Sequence, residues 1–98
     1  MLRLWLDDTR PLPSTYTHLA LSVNMAKEII INAEKNNEEI EIIDCDHDLG
    51  DYAKDGGDGI KLLDWLIERN TLYPIQLHTA NPVGRANMQR MIERYWVE

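Results

Sequence analysis

The sequence predicts an α/β domain built on a mostly parallel sheet with helices packed against it. Three observations carry this. Short apolar runs of strand length alternate with longer segments whose apolar residues recur at i, i+3, i+4 and i+7. The order is strand, loop, strand, helix, strand, helix, strand, helix, and strands joined through helices run parallel. The polar punctuation falls where strands end, at Asp7-Asp8, at Asp46-His47-Asp48 and at His78-Thr79-Ala80-Asn81.

Leu2, Leu4 and Leu6, with Trp5 between them, give a first short strand that stops at Asp7-Asp8. Residues 9–17 carry Pro11 and Pro13 and form a loop, because proline lacks the amide a helix needs. Residues 18–21 are a candidate second strand, and Ser22 or Asn24 caps the helix after it. That helix sets Ala26, Ile29, Ile30 and Ala33 on one face and ends at Asn36-Asn37. Residues 40–45 form the third strand. Its adjacent Ile42 and Ile43 point to opposite faces, which suits a central position, while Glu41 and Asp44 argue against one. Residues 46–58 are a loop containing Gly50, Gly56 and Gly57. Residues 59–69 form a helix with Ile60, Leu63, Leu66 and Ile67 inward, and residues 74–78 a fourth strand. Asn81-Pro82 has the form of a helix cap followed by proline at the first helical position. The last helix turns Met88, Met91, Ile92 and Tyr95 inward.

With 98 residues the chain is expected to be one domain spanning 1–98. A single cysteine, Cys45, excludes an intramolecular disulfide framework and fits a reducing, cytoplasmic location. No apolar run approaches the roughly 20 residues of a membrane helix, and the start reaches acid too soon for a signal peptide. The net charge of −7 argues against broad duplex nucleic-acid binding, which runs on Lys and Arg. It leaves open a nucleotide held through a divalent cation. Residues 44–58 hold six Asp, one Lys and no Glu. Short Asp side chains in a glycine-containing stretch suit turns, caps and the ligation of hard cations.

Ligands of open parallel sheets bind beyond the carboxyl ends of the strands. That rule gathers Asp7, Asp8, Asp46 and Asp48 with His47 and His78 around one crevice. Four converging carboxylates repel unless a cation neutralises them, and Mg²⁺ or Mn²⁺ is the expected cofactor. Each Asp taken singly is equally a solvated loop or capping residue. His47 and His78 are either a general base and acid or one structural and one exposed histidine. A zinc site from these histidines lacks any paired ligand spacing. Arg10 either clamps a phosphate or pairs with Asp7 or Asp8. Thr79 either holds a phosphoryl oxygen or caps the strand end. Trp5, Trp65 and Trp96 are packing residues, and Tyr52 is the aromatic best placed to stack on a base. No G-x-x-x-x-G-K-[ST], G-x-G-x-x-G or G-x-S-x-G motif and no calcium loop occurs.

The motifs resemble the response-regulator receiver. LWLDDTR at 4–10 is similar to its first strand and acid pair, and IEIIDCD at 40–46 to the strand ending in the phosphoacceptor. DGIKLLDWLIERN at 58–70 resembles the next helix, and PIQLHTA at 74–80 the fourth strand. The resemblance implies a truncated, receiver-like (flavodoxin-like) three-layer fold with strand order 2-1-3-4. It also implies Mg²⁺ on Asp7, Asp8 and Asp46, with the Asp48 carbonyl as a further ligand. Two departures stand out: a proline-bearing loop replaces the receiver's first helix, and no fifth strand with its lysine follows. Asp46 is therefore not expected to be a productive phosphoacceptor.

A closer resemblance is to the cyclic-phosphate-processing receiver domains, stand-alone proteins of bacteria and phages. Their pattern is D-D-x-R-x-x-P, then D-H-D-L-G, then H-[ST]-x-N-P-x-G-x-x-N-M. The chain has Asp7-Asp8-Thr9-Arg10-Pro11-Leu12-Pro13, Asp46-His47-Asp48-Leu49-Gly50, and residues 78–88 reading HTANPVGRANM. This resemblance implies a metal-assisted phosphoesterase acting on a cyclic phosphate of a nucleotide or RNA end. Asp7, Asp8 and Asp46 would hold the cation, with Asp48 nearby. His47 and His78 would move protons, Arg10 and Thr79 would place the phosphate, and Asn81 would cap the last helix beside it. The alternatives are a protein that sequesters a cyclic nucleotide without turnover, and a regulatory receiver-like interaction domain.

Overall fold

Leucines at alternate positions build the first strand, β1 (Leu2–Leu6), and the computed structural model describes residues 1–96 around it. The last two positions of the expected domain lie outside the described residues. The other elements are β2 (His18–Ala20), α1 (Val23–Lys35), β3 (Ile40–Cys45), a 3₁₀ turn at Gly50–Lys54, α2 (Ile60–Arg69), β4 (Ile75–Leu77) and α3 (Pro82–Tyr95). The four strands are all parallel, in the order β2-β1-β3-β4. Among the described residues, no helix is long and apolar enough to cross a membrane.

Local chemistry sets the helix ends. Ser22, not Asn24, caps α1: its hydroxyl accepts from the Met25 amide at 3.1 Å. Asn81 caps α3, its side-chain oxygen accepting from the amides of Val83 and Gly84 at 3.1 and 3.0 Å, with Pro82 at the start. α2 ends where Asn70 turns left-handed at φ 58°. Its buried stripe is Leu62, Leu63 and Leu66, so the inward face is rotated from the expected one and Ile60 and Ile67 are only half-buried. Tyr95 of α3 was expected inward and is exposed; Met88 and Gly84 are the residues α3 buries.

The core lies on one side of the sheet. Leu2, Leu4 and Leu6 of β1 and Ile43 and Cys45 of β3 pack with Val23, Ala26 and Ile30 of α1, the three leucines of α2 and Met88. The strand pleat sends alternate residues the other way. That second side carries Arg3, Trp5, Ile42 and Asp44, and its covering layer is the 7–17 segment rather than a helix. Tyr16 leans on Trp5 with ring centroids 5.1 Å apart, and Arg3 Nε donates to the Thr15 carbonyl at 2.7 Å. Pro11 and Pro13 explain why this layer is irregular.

Register then positions the site. Leu6 pairs with Cys45 and Cys45 with Leu77, so the next residues, Asp7, Asp46 and His78, stand side by side beyond three strand ends. The ladder continues one step past the strands: the Asp46 amide donates to the Leu6 carbonyl at 2.9 Å, and the His78 amide to the Cys45 carbonyl at 3.0 Å.

Candidate functional site

Asp7, Asp46 and His78 bring one ligating atom each to within 4.8 Å of one another. Asp7 is fully buried. Its Oδ1 accepts from the Thr9 and Arg10 amides at 2.9 and 3.0 Å, and its Oδ2 lies 2.9 Å from His78 Nε2. Burial pushes this carboxyl up, but those three bonds outweigh it and hold the group below its usual value. Asp7 is thus a fixed, ionised carboxylate. Asp46 Oδ1 accepts from the His47 amide at 2.7 Å.

The His78 ring is enclosed. It stacks on the Trp5 indole at 3.6 Å between centroids, with 6° between the planes. Its Nδ1 lies 2.7 Å from Asp44 Oδ1, and the other oxygen of Asp44 accepts from the Tyr16 hydroxyl at 2.5 Å. Tyr16, Asp44, His78 and Asp7 therefore form one hydrogen-bonded chain. It exists because Trp5 and Asp44 are register partners on the helix-free side of the sheet, where the 7–17 segment delivers Tyr16.

A second group, His47, Asp48 and Asp58, lies on the loop after β3. His47 Nδ1 is 2.7 Å from Asp48 Oδ1, and Asn81 Nδ2 donates to both oxygens of Asp48 at 3.2 and 3.1 Å. These bonds, first that with His47, hold the Asp48 carboxyl below its usual value. Asp58 Oδ1 accepts from the Leu49 amide at 3.1 Å. Two glycines permit this packing. A Cβ on Gly84 would overlap the His47 ring, so that ring lies flat on the first turn of α3. A Cβ on Gly59 would strike the Asp46 carbonyl, and the Gly59 amide instead donates to the His47 carbonyl at 2.7 Å.

The expected carboxylate quartet thus divides. Asp7 and Asp46 stand together, Asp48 belongs to the His47 group, and Asp8 belongs to neither. The Asp8 carboxylate stands over Gly50, where a Cβ would lie 2.7 Å from its Oδ2 and φ is +56°. Arg10 donates to the His78 carbonyl at 2.8 Å and sits 3.9 Å from Asp7 Oδ2, half exposed at the rim. The Thr79 hydroxyl accepts from the Asn81 amide at 3.1 Å and so holds the turn into α3. Sequence reasoning missed Asp44, Tyr16 and the glycines at 59 and 84, and took Trp5 for packing alone. A charged residue inside an apolar strand was the available signal for Asp44.

A parallel four-stranded sheet whose strand ends converge on an acidic, histidine-bearing crevice defines a receiver-type domain. This chain belongs to the cyclic-phosphate processing receiver domain family, whose sequence model matches residues 2–94. No curated protein and no solved structure matches it.

Proposed function

We propose that the domain is a metal-assisted phosphoesterase that opens a cyclic phosphate of a nucleotide or an RNA end. The observation that carries this reading is the convergence of Asp7, Asp46 and His78 within 4.8 Å. Two carboxylates and one imidazole on three strand ends fit a divalent cation. The oxygen donors suit Mg²⁺ or Mn²⁺, and the imidazole favours Mn²⁺, since Mg²⁺ takes oxygen ligands. When bound, such a cation supplies positive charge against the phosphoryl oxygens.

The chain's own residues supply the rest. Arg10, at the rim beside Asp7, offers a guanidinium to the phosphate. The N-terminus of α3 adds its positive dipole end. His47, oriented by Asp48 and by packing on Gly84, is the proton carrier. It takes the proton of the attacking water as the water oxygen bonds to phosphorus. It then returns a proton to the ribose oxygen as the ring P–O bond breaks. His78 was expected in that role beside His47. Carboxylates face both of its nitrogens, which suits a held ligand better than a proton shuttle.

Incubation with 2′,3′- and 3′,5′-cyclic nucleotides, with Mn²⁺, Mg²⁺ or chelator, tests the proposal. Ring-opened product that requires the cation is expected. Tight binding without product establishes the sequestering alternative instead.

A further inference from the structure

We infer that Asp44 and Tyr16 are positioning residues that select the nitrogen His78 presents to the crevice. The inference rests on the metal-assisted reading and specifies how its imidazole ligand is held. An imidazole offers a lone pair only at an unprotonated nitrogen. Carboxylates face both nitrogens, Asp44 Oδ1 at Nδ1 and Asp7 Oδ2 at Nε2; a cation held by Asp7 would displace the proton between Asp7 and Nε2, while Asp44, outside the ligand group, keeps one on Nδ1. The other nitrogen, Nε2, lies 2.9 Å from Oδ2 of Asp7, a member of the group that His78 forms with Asp7 and Asp46.

Asp44 can do this because its own orientation is set from the far side. Its side chain is buried and stands on β3, the strand between β1 and β4, and its Oδ2 accepts from the Tyr16 hydroxyl. Burial, then the bond to Asp44, push that hydroxyl up to about 12, so Tyr16 is the donor and Asp44 the acceptor. With one oxygen taken, the carboxylate turns the other to His78. Trp5 stacks on the ring and opposes the flip that would exchange its nitrogens. Three elements therefore hold one ring: β1 through Trp5, β3 through Asp44, and the proline-bearing segment through Tyr16. Metal-binding histidines are commonly oriented by a carboxylate on the second nitrogen, and losing that partner costs about 10–100-fold in metal affinity.

The test is Mn²⁺ binding, measured by calorimetry on the metal-free full chain. Asp44→Leu, close in size but without an acceptor, is expected to weaken Mn²⁺ binding about 10–100-fold while the fold is kept. Asp44→Asn, which retains an acceptor oxygen, should recover part of that loss, and Tyr16→Phe should show a smaller one. Histidine labelled with ¹⁵N only at Nε2 gives an independent readout: electron spin echo spectra of bound Mn²⁺ should show coupling to ¹⁵N in the wild type. Coupling to the unlabelled nitrogen overturns the inference, even if Asp44→Leu does not fold. So does a folded Asp44→Leu protein with wild-type affinity, and in either case the phosphoesterase reading stands. Failure of the wild type to take up Mn²⁺ at all overturns the metal-assisted reading, and the inference with it.

Discussion

His78 and His47 share one local arrangement in different surroundings. Each has its Nδ1 2.7 Å from a carboxylate oxygen. For His78 the partner is Asp44, 34 residues distant in sequence, with a side chain 7% exposed. For His47 it is the next residue, Asp48, 59% exposed. Between buried groups the attraction is little screened, and water cannot replace a partner that is lost. At the surface, salt screens the pair and water takes over. The same distance is therefore worth much at one histidine and little at the other. His78 is held from both sides by buried groups, whereas the carboxylate that orients His47 is open to solvent.

The contrast is most directly broken by stability. His78→Ala leaves the Asp7 and Asp44 carboxylates in the interior without the ring that bridges them, and removing the partner of a buried carboxylate costs about 3–5 kcal/mol. His47→Ala breaks a pair whose carboxylate is 59% exposed, which costs about 1 kcal/mol or less beyond the packing of the ring itself. Urea unfolding of both metal-free variants checks this, and equal losses would erase the distinction drawn here.

Turnover should reverse the ranking of damage relative to fold. His47→Ala is expected to lose about 10²–10⁴-fold in rate while keeping Mn²⁺ affinity and most of its stability. Gly84→Ala should approach that loss without replacing a titratable residue, because its Cβ displaces the His47 ring. A Gly84→Ala protein of wild-type activity would show that ring placement on α3 is immaterial.

The smallest effect is on acid stability. Asp7 has a folded-state value below 3.8, so the unfolded chain binds more protons there. The stabilisation from this group is complete above its unfolded value and is lost as pH falls through the lower folded one. Between about pH 5 and about pH 2, with chelator present, Asp7→Asn should show a flatter decline of unfolding free energy than the wild type. Parallel curves would mean that His78 and the two backbone amides do not favour the Asp7 carboxylate.

Much of the frame was legible before any coordinates. Proline excluded a helix from residues 9–17, and Asn81-Pro82 marked the start of α3 to the residue. The helix faces were less so: the α2 stripe is Leu62, Leu63 and Leu66, because the apolar arc runs from Ile60 and Ile67 round to Leu62 and only packing decides which part of it is buried. Asp8 illustrates the limit within the site. As the second acid of a tandem it was expected beside Asp7, yet neighbouring residues leave the backbone in different directions: Asp7 groups with Asp46 and His78, while the Asp8 carboxylate stands over Gly50.

What the sequence determined by itself is whatever arises within a few residues: the alternation of strands and helices, the caps, the acids and histidines at strand ends, and the motifs that mark the family. Periodicity and side-chain-to-backbone bonding are local, so they can be seen along the chain. Only the tertiary structure decided that Tyr16, Asp44 and Trp5 enclose His78, that His78 reaches Asp7 across 71 positions, and that Asp48 parts from Asp7 to orient His47. Those contacts depend on strand register and on how the segment after β1 lies across the sheet. A slip of one residue in a strand turns its side chains to the opposite face.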